Sequence, residues 1–154
     1  MKDIRIIVRL ILLVLLAIMS GCSLLQSRVD ISSVVIDVAL DANDNAPVAV
    51  DMVAISDVAL LPQIQSLSAE QWFNAKAQLQ RDAPNALHIW SLELVPGAHF
   101  VTEDNPLKGT PADAILLFAR YRSDGDHRLR LEQVSSLHLL LMTDDIALAP
   151  EQGR

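Results

Sequence analysis

Val34-Val35-Ile36-Asp37-Val38-Ala39-Leu40, then Asp41-Ala42-Asn43-Asp44-Asn45-Ala46-Pro47, then Val48-Ala49-Val50-Asp51-Met52-Val53-Ala54-Ile55: this run decides the fold class. In the first segment Val34, Ile36, Val38 and Leu40 share one face and Asp37 lies on the other. That period of two marks a half-buried strand. The middle segment is dense in turn-forming residues and cannot extend it. The third alternates again, with Val48, Val50 and Met52 opposite Asp51 and Val53. The three segments together read as a β-hairpin.

Downstream the pattern changes and then returns. Residues 58–82 form a helical insertion. Leu60, Leu61 and Ile64 predict a short helix with Pro62 in its first turn, where proline is tolerated. A second helix opens on Ser68-Ala69-Glu70-Gln71, a capping box, with Leu67 and Trp72 placed for a hydrophobic staple. Trp72, Phe73, Lys76 and Leu79 then fall on one side. Core packing is the reading that the helical period favours; an apolar groove of Trp72, Phe73 and Leu79 is the alternative. Strands are predicted at Leu87–Leu94 (His88, Trp90, Leu92 and Leu94 on one face), Ala98–Thr102, Ala114–Tyr121, Arg128–Glu132 and Val134–Met142. Ala114–Tyr121 is the most apolar and reads as central, covered on both faces. Val95-Pro96-Gly97 and Ser123-Asp124-Gly125-Asp126 are turns. Residues 34–142 thus predict a mainly β domain, a β-sandwich of six to eight strands, with 143–154 as a tail.

Upstream lies a leader. Lys2, Arg5 and Arg9 form a basic head, Leu10 to Ile18 an uncharged apolar run, and Met19-Ser20-Gly21-Cys22 a small-residue cleavage site. These are the parts of a secretory signal peptide. Ser20 and Gly21 ahead of the only cysteine resemble a bacterial lipobox. Residues 1–21 are therefore expected to be removed, and Cys22 to carry an S-diacylglycerol and an N-acyl chain such as palmitate. A single acyl chain holds marginally and two or more hold firmly. Residues 22–33 then read as a lipidated tether. Ser23, where an aspartate would by enterobacterial sorting rules retain the protein, points to the outer membrane of a Gram-negative bacterium, with the domain in the periplasm.

Composition narrows the function classes. Lys and Arg number 12 against 19 Asp and Glu, net −7, and leader removal takes three cations but only Asp3. So acidic a surface repels nucleic acid and anionic headgroups. His88, His99, His127 and His138 are scattered without the spacing of a zinc site. Asp124-Gly125-Asp126 offers too few oxygens for calcium. There is no Gly-x-Ser-x-Gly elbow, P-loop or dinucleotide fingerprint. The sequence predicts no enzyme, no metal, no small-molecule substrate and no cofactor beyond the lipid on Cys22.

In order along the chain, a lipidated cysteine, a first strand, an Asn/Asp-rich loop and Pro47-Val48-Ala49-Val50 are followed by a helical segment with Trp72-Phe73. Leu94-Val95-Pro96-Gly97 and Leu117-Phe118-Ala119-Arg120-Tyr121-Arg122 come next. This order resembles the type VI secretion lipoprotein family (TssJ, also called SciN or VasD). Glu103–Thr110 is inserted relative to the family pattern, and an Arg-Pro-Ser ahead of the Val-x-Val strand is missing. The resemblance implies a transthyretin-like β-sandwich that holds an envelope-spanning secretion complex to the outer membrane. It also implies a partner, the periplasmic part of an inner-membrane protein (TssM), met by the loop between the first two strands. Here that loop is Asp41, Ala42, Asn43, Asp44, Asn45 and Ala46. The alternative function is a pilotin-like lipoprotein that binds an outer-membrane pore subunit through the groove at Trp72, Phe73 and Leu79.

Overall fold

The computed structural model describes residues 27–132 and 134–150; the leader, Cys22 and residues 151–154 lie outside them. The strands are β1 (Ser33–Val38), β2 (Val48–Ile55), β3 (Leu87–Leu94), β4 (His99–Thr102), β5 (Ala114–Arg120), β6 (Arg128–Leu131), β7 (Ser136–Leu141) and β8 (Ile146–Leu148). Two helices, α1 (Leu61–Gln65) and α2 (Ala69–Asp82), separate β2 from β3. The strands form two four-stranded sheets, ordered β4-β1-β7-β8 and β3-β2-β5-β6. Pairing is antiparallel except between β1 and β7, which run parallel from Ser33↔Ser136 to Val38↔Leu141. This is the expected β-sandwich.

The expected hairpin is not there. β1 and β2 belong to different sheets, and residues 39–47 carry the chain from one to the other. Two strands that face each other across a core bury alternate residues just as two hydrogen-bonded neighbours do, so the alternation is blind to the difference. Val34 and Ile36 of β1 meet Val50 and Met52 of β2 across the core, joined by Leu117 of β5 and Leu139 of β7.

A second core forms where α2 covers the outer face of β2 and β5. Trp72 lies there with Val53, Ile55, Ile64, Leu116 and Phe118, its ring stacked on Phe118 at 4.9 Å. The capping box is as read: Ser68 Oγ accepts from the Gln71 amide (3.3 Å) and Gln71 Oε1 from the Ser68 amide (2.9 Å). Leu67 packs in the same cluster as Trp72, completing the staple.

Other expectations change. Asp51, placed on an outward face, is 1% exposed because α2 roofs that face. Leu40, placed inward, is 83% exposed because β1 stops at Val38 and the chain turns away. The tether does not hang free along its described length: Val29 and Ile31 are buried, and Arg28 bridges to Pro111. The tail contributes β8, whose Ile146 is buried. Among the described residues no helix is long and apolar enough to cross a membrane.

Candidate partner-binding pole

Connections 39–47, 95–98, 121–127 and 142–145 meet at one end of the sandwich. The first is the unusual one. Asn43, Asp44 and Asn45 have φ of 51°, 53° and 60°, three successive non-glycine residues in the left-handed region. That region costs an L-residue roughly 1–2 kcal/mol, and Asn and Asp are the side chains that tolerate it best. The Asn/Asp-rich composition is thus a backbone requirement as well as a surface.

Asn43 holds the strained turn in place. It is buried, its Nδ2 donates to the Pro47 carbonyl (2.8 Å), and its Oδ1 accepts from the Arg122 amide (2.7 Å). Its own amide donates to the Thr143 carbonyl (2.8 Å). Thr143 Oγ1 in turn donates to Asp41 Oδ2 (3.1 Å). One residue, through its side chain and its own amide, therefore fastens the β1–β2 loop to the two turns beside it. Gly97, at φ 79°, donates to the carbonyls of both Val38 and Ala39, and a Cβ there would meet Leu40 at 3.0 Å.

Behind the loops lies a polar cluster that no sequence motif announced. Tyr121 is buried, with its hydroxyl 3.0 Å from the Met142 carbonyl and 2.9 Å from that of Asp145. Burial, then the nearby charges of Asp145 and Asp144, push the phenol well above its ordinary range. His127 packs against Tyr121 with its ring tilted 39° and centroids 5.0 Å apart, its Nδ1 3.1 Å from Asp145 Oδ1 and its Nε2 3.0 Å from the Ser123 carbonyl. A Cβ on Gly125 would sit 2.6 Å from the imidazole, so only glycine fits above that ring.

Ser123, His127 and Asp145 are the residue types of a nucleophile, base and orienting acid, but they are wired otherwise. Ser123 Oγ donates to the Asp144 carbonyl (3.1 Å) and stands 3.5 Å from Nε2. Nε2 lies closer to the Ser123 carbonyl (3.0 Å) than to that hydroxyl, so the hydroxyl makes no short bond to the imidazole. The cluster clamps two turns together.

Of the six loop residues proposed for partner contact, Asp41, Asp44 and Asn45 are exposed, Ala46 is half-buried, and Ala42 and Asn43 are buried. The first three can touch a partner; Ala42 and Asn43 shape the loop. Sequence reading missed the apolar part of the surface: Leu40 (83% exposed), Val95 (58%) and Met142 (41%) all stand at this pole. Asp124, Asp126, Asp144 and Asp145, all exposed, lie on the adjoining connections 121–127 and 142–145. An apolar centre with a charged rim is the usual make-up of a protein–protein contact. Arg120 and Arg122 line a hollow of about 340 Å³ beside the loop, facing Glu93 across Ala49.

The second sequence-derived candidate is closed. Trp72 is fully buried, and its Nε1 donates to Asp51 Oδ2 (2.8 Å), which also accepts from Lys76 Nζ (2.8 Å). Phe73 and Leu79 are half-buried beside it, Phe73 beneath the Lys76 ammonium at 4.7 Å. No groove opens onto the indole. On the bare outer face of the other sheet, Asp37 receives His99 Nδ1 (2.5 Å) on one oxygen and His138 Nε2 (2.6 Å) on the other. These two hydrogen bonds hold its carboxyl below the usual range. Among the described residues no group of three or more His, Cys, Asp or Glu is arranged to hold a metal ion.

No protein-family model matches the sequence, and no curated protein does. Solved structures do resemble the fold. Lip of Serratia marcescens, a membrane-bound component of the type VI secretion system, matches with a TM-score of 0.55 at 14% identity, over 77% of this chain and 96% of that one. The T6SS lipoprotein TssJ1 of Pseudomonas aeruginosa gives 0.56 at 15% identity, over 79% and 96%. A chain of the type VI membrane complex gives 0.60 at 16% identity, over 78% and 99%. The fold is that of the TssJ lipoproteins.

Proposed function

We propose that a chain with the TssJ fold and this leader is a lipid-anchored periplasmic protein that ties the membrane complex of a type VI-like secretion apparatus to the outer membrane. The observation that carries this reading is the near-complete coverage of two type VI components, 96% of each, by one continuous sandwich. Cys22 supplies the anchor through its acyl chains. The pole with Leu40, Asp41, Asp44 and Asn45 meets the periplasmic part of an inner-membrane partner. The strained turn arrives already ordered, which removes an entropic cost from docking, and its aspartates steer the encounter. The protein has no catalytic role. The pilotin-like alternative would need Trp72 to leave the Asp51 carboxylate and the Phe118 ring.

Two variants test the proposal at its two ends. Cys22→Ser should move the protein from the membrane to the soluble periplasmic fraction; retention on the membrane would overturn the anchor. Leu40→Asp combined with Asp44→Gly should lower the affinity for the partner's periplasmic domain by at least about tenfold, which is about 1.4 kcal/mol, and leave the melting temperature within a few degrees. Glycine is the neutral choice at position 44, since alanine would add left-handed strain. Unchanged capture would place the docking surface elsewhere.

A further inference from the structure

We propose that the outer edge of β3 is a separate docking surface that takes an extended segment of a partner protein as an added strand. The sheets have four edges. β4 and β6 are four residues long and β8 is three, whereas β3 runs for eight, Leu87–Leu94. Short strands, lysine, proline and bulges are the usual protections against unwanted edge pairing. Leu-His-Ile-Trp-Ser-Leu-Glu-Leu has no lysine and no proline, and its register with β2 is unbroken from Val48↔Leu94 to Ile55↔Leu87.

The register also identifies the open backbone groups. At one end of the pairing the Ser56 amide donates to the Ala86 carbonyl, and on the far side of the sheet the Ala119 amide donates to His127. Followed through the antiparallel alternation, both bonds give the same answer. His88, Trp90, Leu92 and Leu94 exchange their backbone bonds with β2, and Ile89, Ser91 and Glu93 turn theirs outward. Among the described residues no backbone group beyond β2 pairs with these three; the Leu87 amide, at the end of the row, reaches the Ala83 carbonyl.

The side chains along this edge are unfinished too. Trp90 and Leu92 of β3 and Phe100 of β4 pack against the inter-sheet core but are only half-buried. Trp90 and Phe100 approach to 6.4 Å and form an open seam between the sheets. At the opposite seam Leu131 of β6 and Ile146 of β8 are buried. A strand added to β3 would gain up to six backbone hydrogen bonds from the three outward residues, and its alternate side chains would cover Trp90 and Phe100. The fitting occupant is apolar at alternate positions, with a neutral or basic residue beside Glu93. A second copy fits less well, because it brings the same net charge of −7 and the same glutamate. The proposal stands on this edge alone and does not depend on the docking pole or on the secretion reading.

The test uses the full chain in its own membrane, with a photo-crosslinking amino acid at position 93. An adduct with another protein is expected, and a synthetic peptide spanning the crosslinked residue is then added to the purified full-length protein. Hydrogen exchange at the amides of Ile89, Ser91 and Glu93 should slow by at least about tenfold, with Trp90 and Leu92 unchanged. Ser91→Pro should abolish both effects while leaving the pairing with β2 intact, since that amide faces outward. No adduct, an adduct with another copy of this chain, or peptide binding that leaves the three amides unchanged would overturn the proposal.

Discussion

Asp37 and Asp51 occupy equivalent places in the sequence pattern, each the single charge in a run of alternating apolar residues, and the fold treats them in opposite ways. The Asp37 side chain stays 42% exposed between two histidines, and that of Asp51 is 1% exposed beneath a helix. Strand period fixes which face a residue takes. What covers the face is decided elsewhere, here by α2, which roofs one sheet and leaves the other bare. A carboxylate under such a roof must have its hydrogen-bond capacity met, and Trp72 and Lys76 meet it. The same group facing water needs no such provision.

The largest effect should therefore come from Asp51→Ala. It removes one partner from a buried charge pair and leaves the indole N–H and the ammonium without their acceptor. A loss of about 3–5 kcal/mol is expected, read as a fall in the urea midpoint with an unchanged slope. If the cost were no larger than for an ordinary surface substitution, the roof would be permeable to water and the contrast with Asp37 would fail. Trp72→Phe keeps part of the stack on Phe118 and deletes the donor together with some buried volume. About 1–3 kcal/mol should follow from the lost hydrogen bond to the buried carboxylate, measured in the same way. A bulkier loss would point to the ring and not to its N–H.

The smallest effect belongs to Asp37→Asn, which should leave thermal melting at neutral pH nearly unchanged, as expected for an exposed pair. Its signature is pH dependence. The Asp37 pKa is lowered by the hydrogen bonds to His99 and His138 from an ordinary value of 3.8. The folded state then binds this proton less readily than the unfolded state. Its contribution is present above that ordinary value and is lost as pH falls through the folded one. The melting difference between wild type and Asp37→Asn should shrink below about pH 4. A difference that grew below about pH 4 would reverse the sign and remove the histidines as the cause.

Local chemistry was the legible part of this chain. The capping box, the Pro96-Gly97 turn, the doubly covered β5 and the sandwich class all follow from spacing over a few residues. The pairing of β1 with β7, about a hundred positions along the chain, has no such mark. Neither has the assignment of β1 and β2 to different sheets, because both arrangements bury the same alternate residues. β8 escaped because Ile146-Ala147-Leu148 is too short to show a period. At the pole, the Asn/Asp run was legible as a loop, but Asn43 as its buried fastener was not: its partners Arg122 and Thr143 are distant in sequence and contribute backbone atoms, which any residue supplies.

The parallel pairing of β1 and β7 has a mechanical consequence. If the chain is held by its amino end and pulled by a partner at the far pole, tension runs along β1, which is flanked by β4 on one side and β7 on the other. Such a pull slides β1 lengthwise against both neighbours and strains their rungs together, unlike peeling, which breaks them one at a time. A strand loaded from its two ends holds best when it is stitched on both sides.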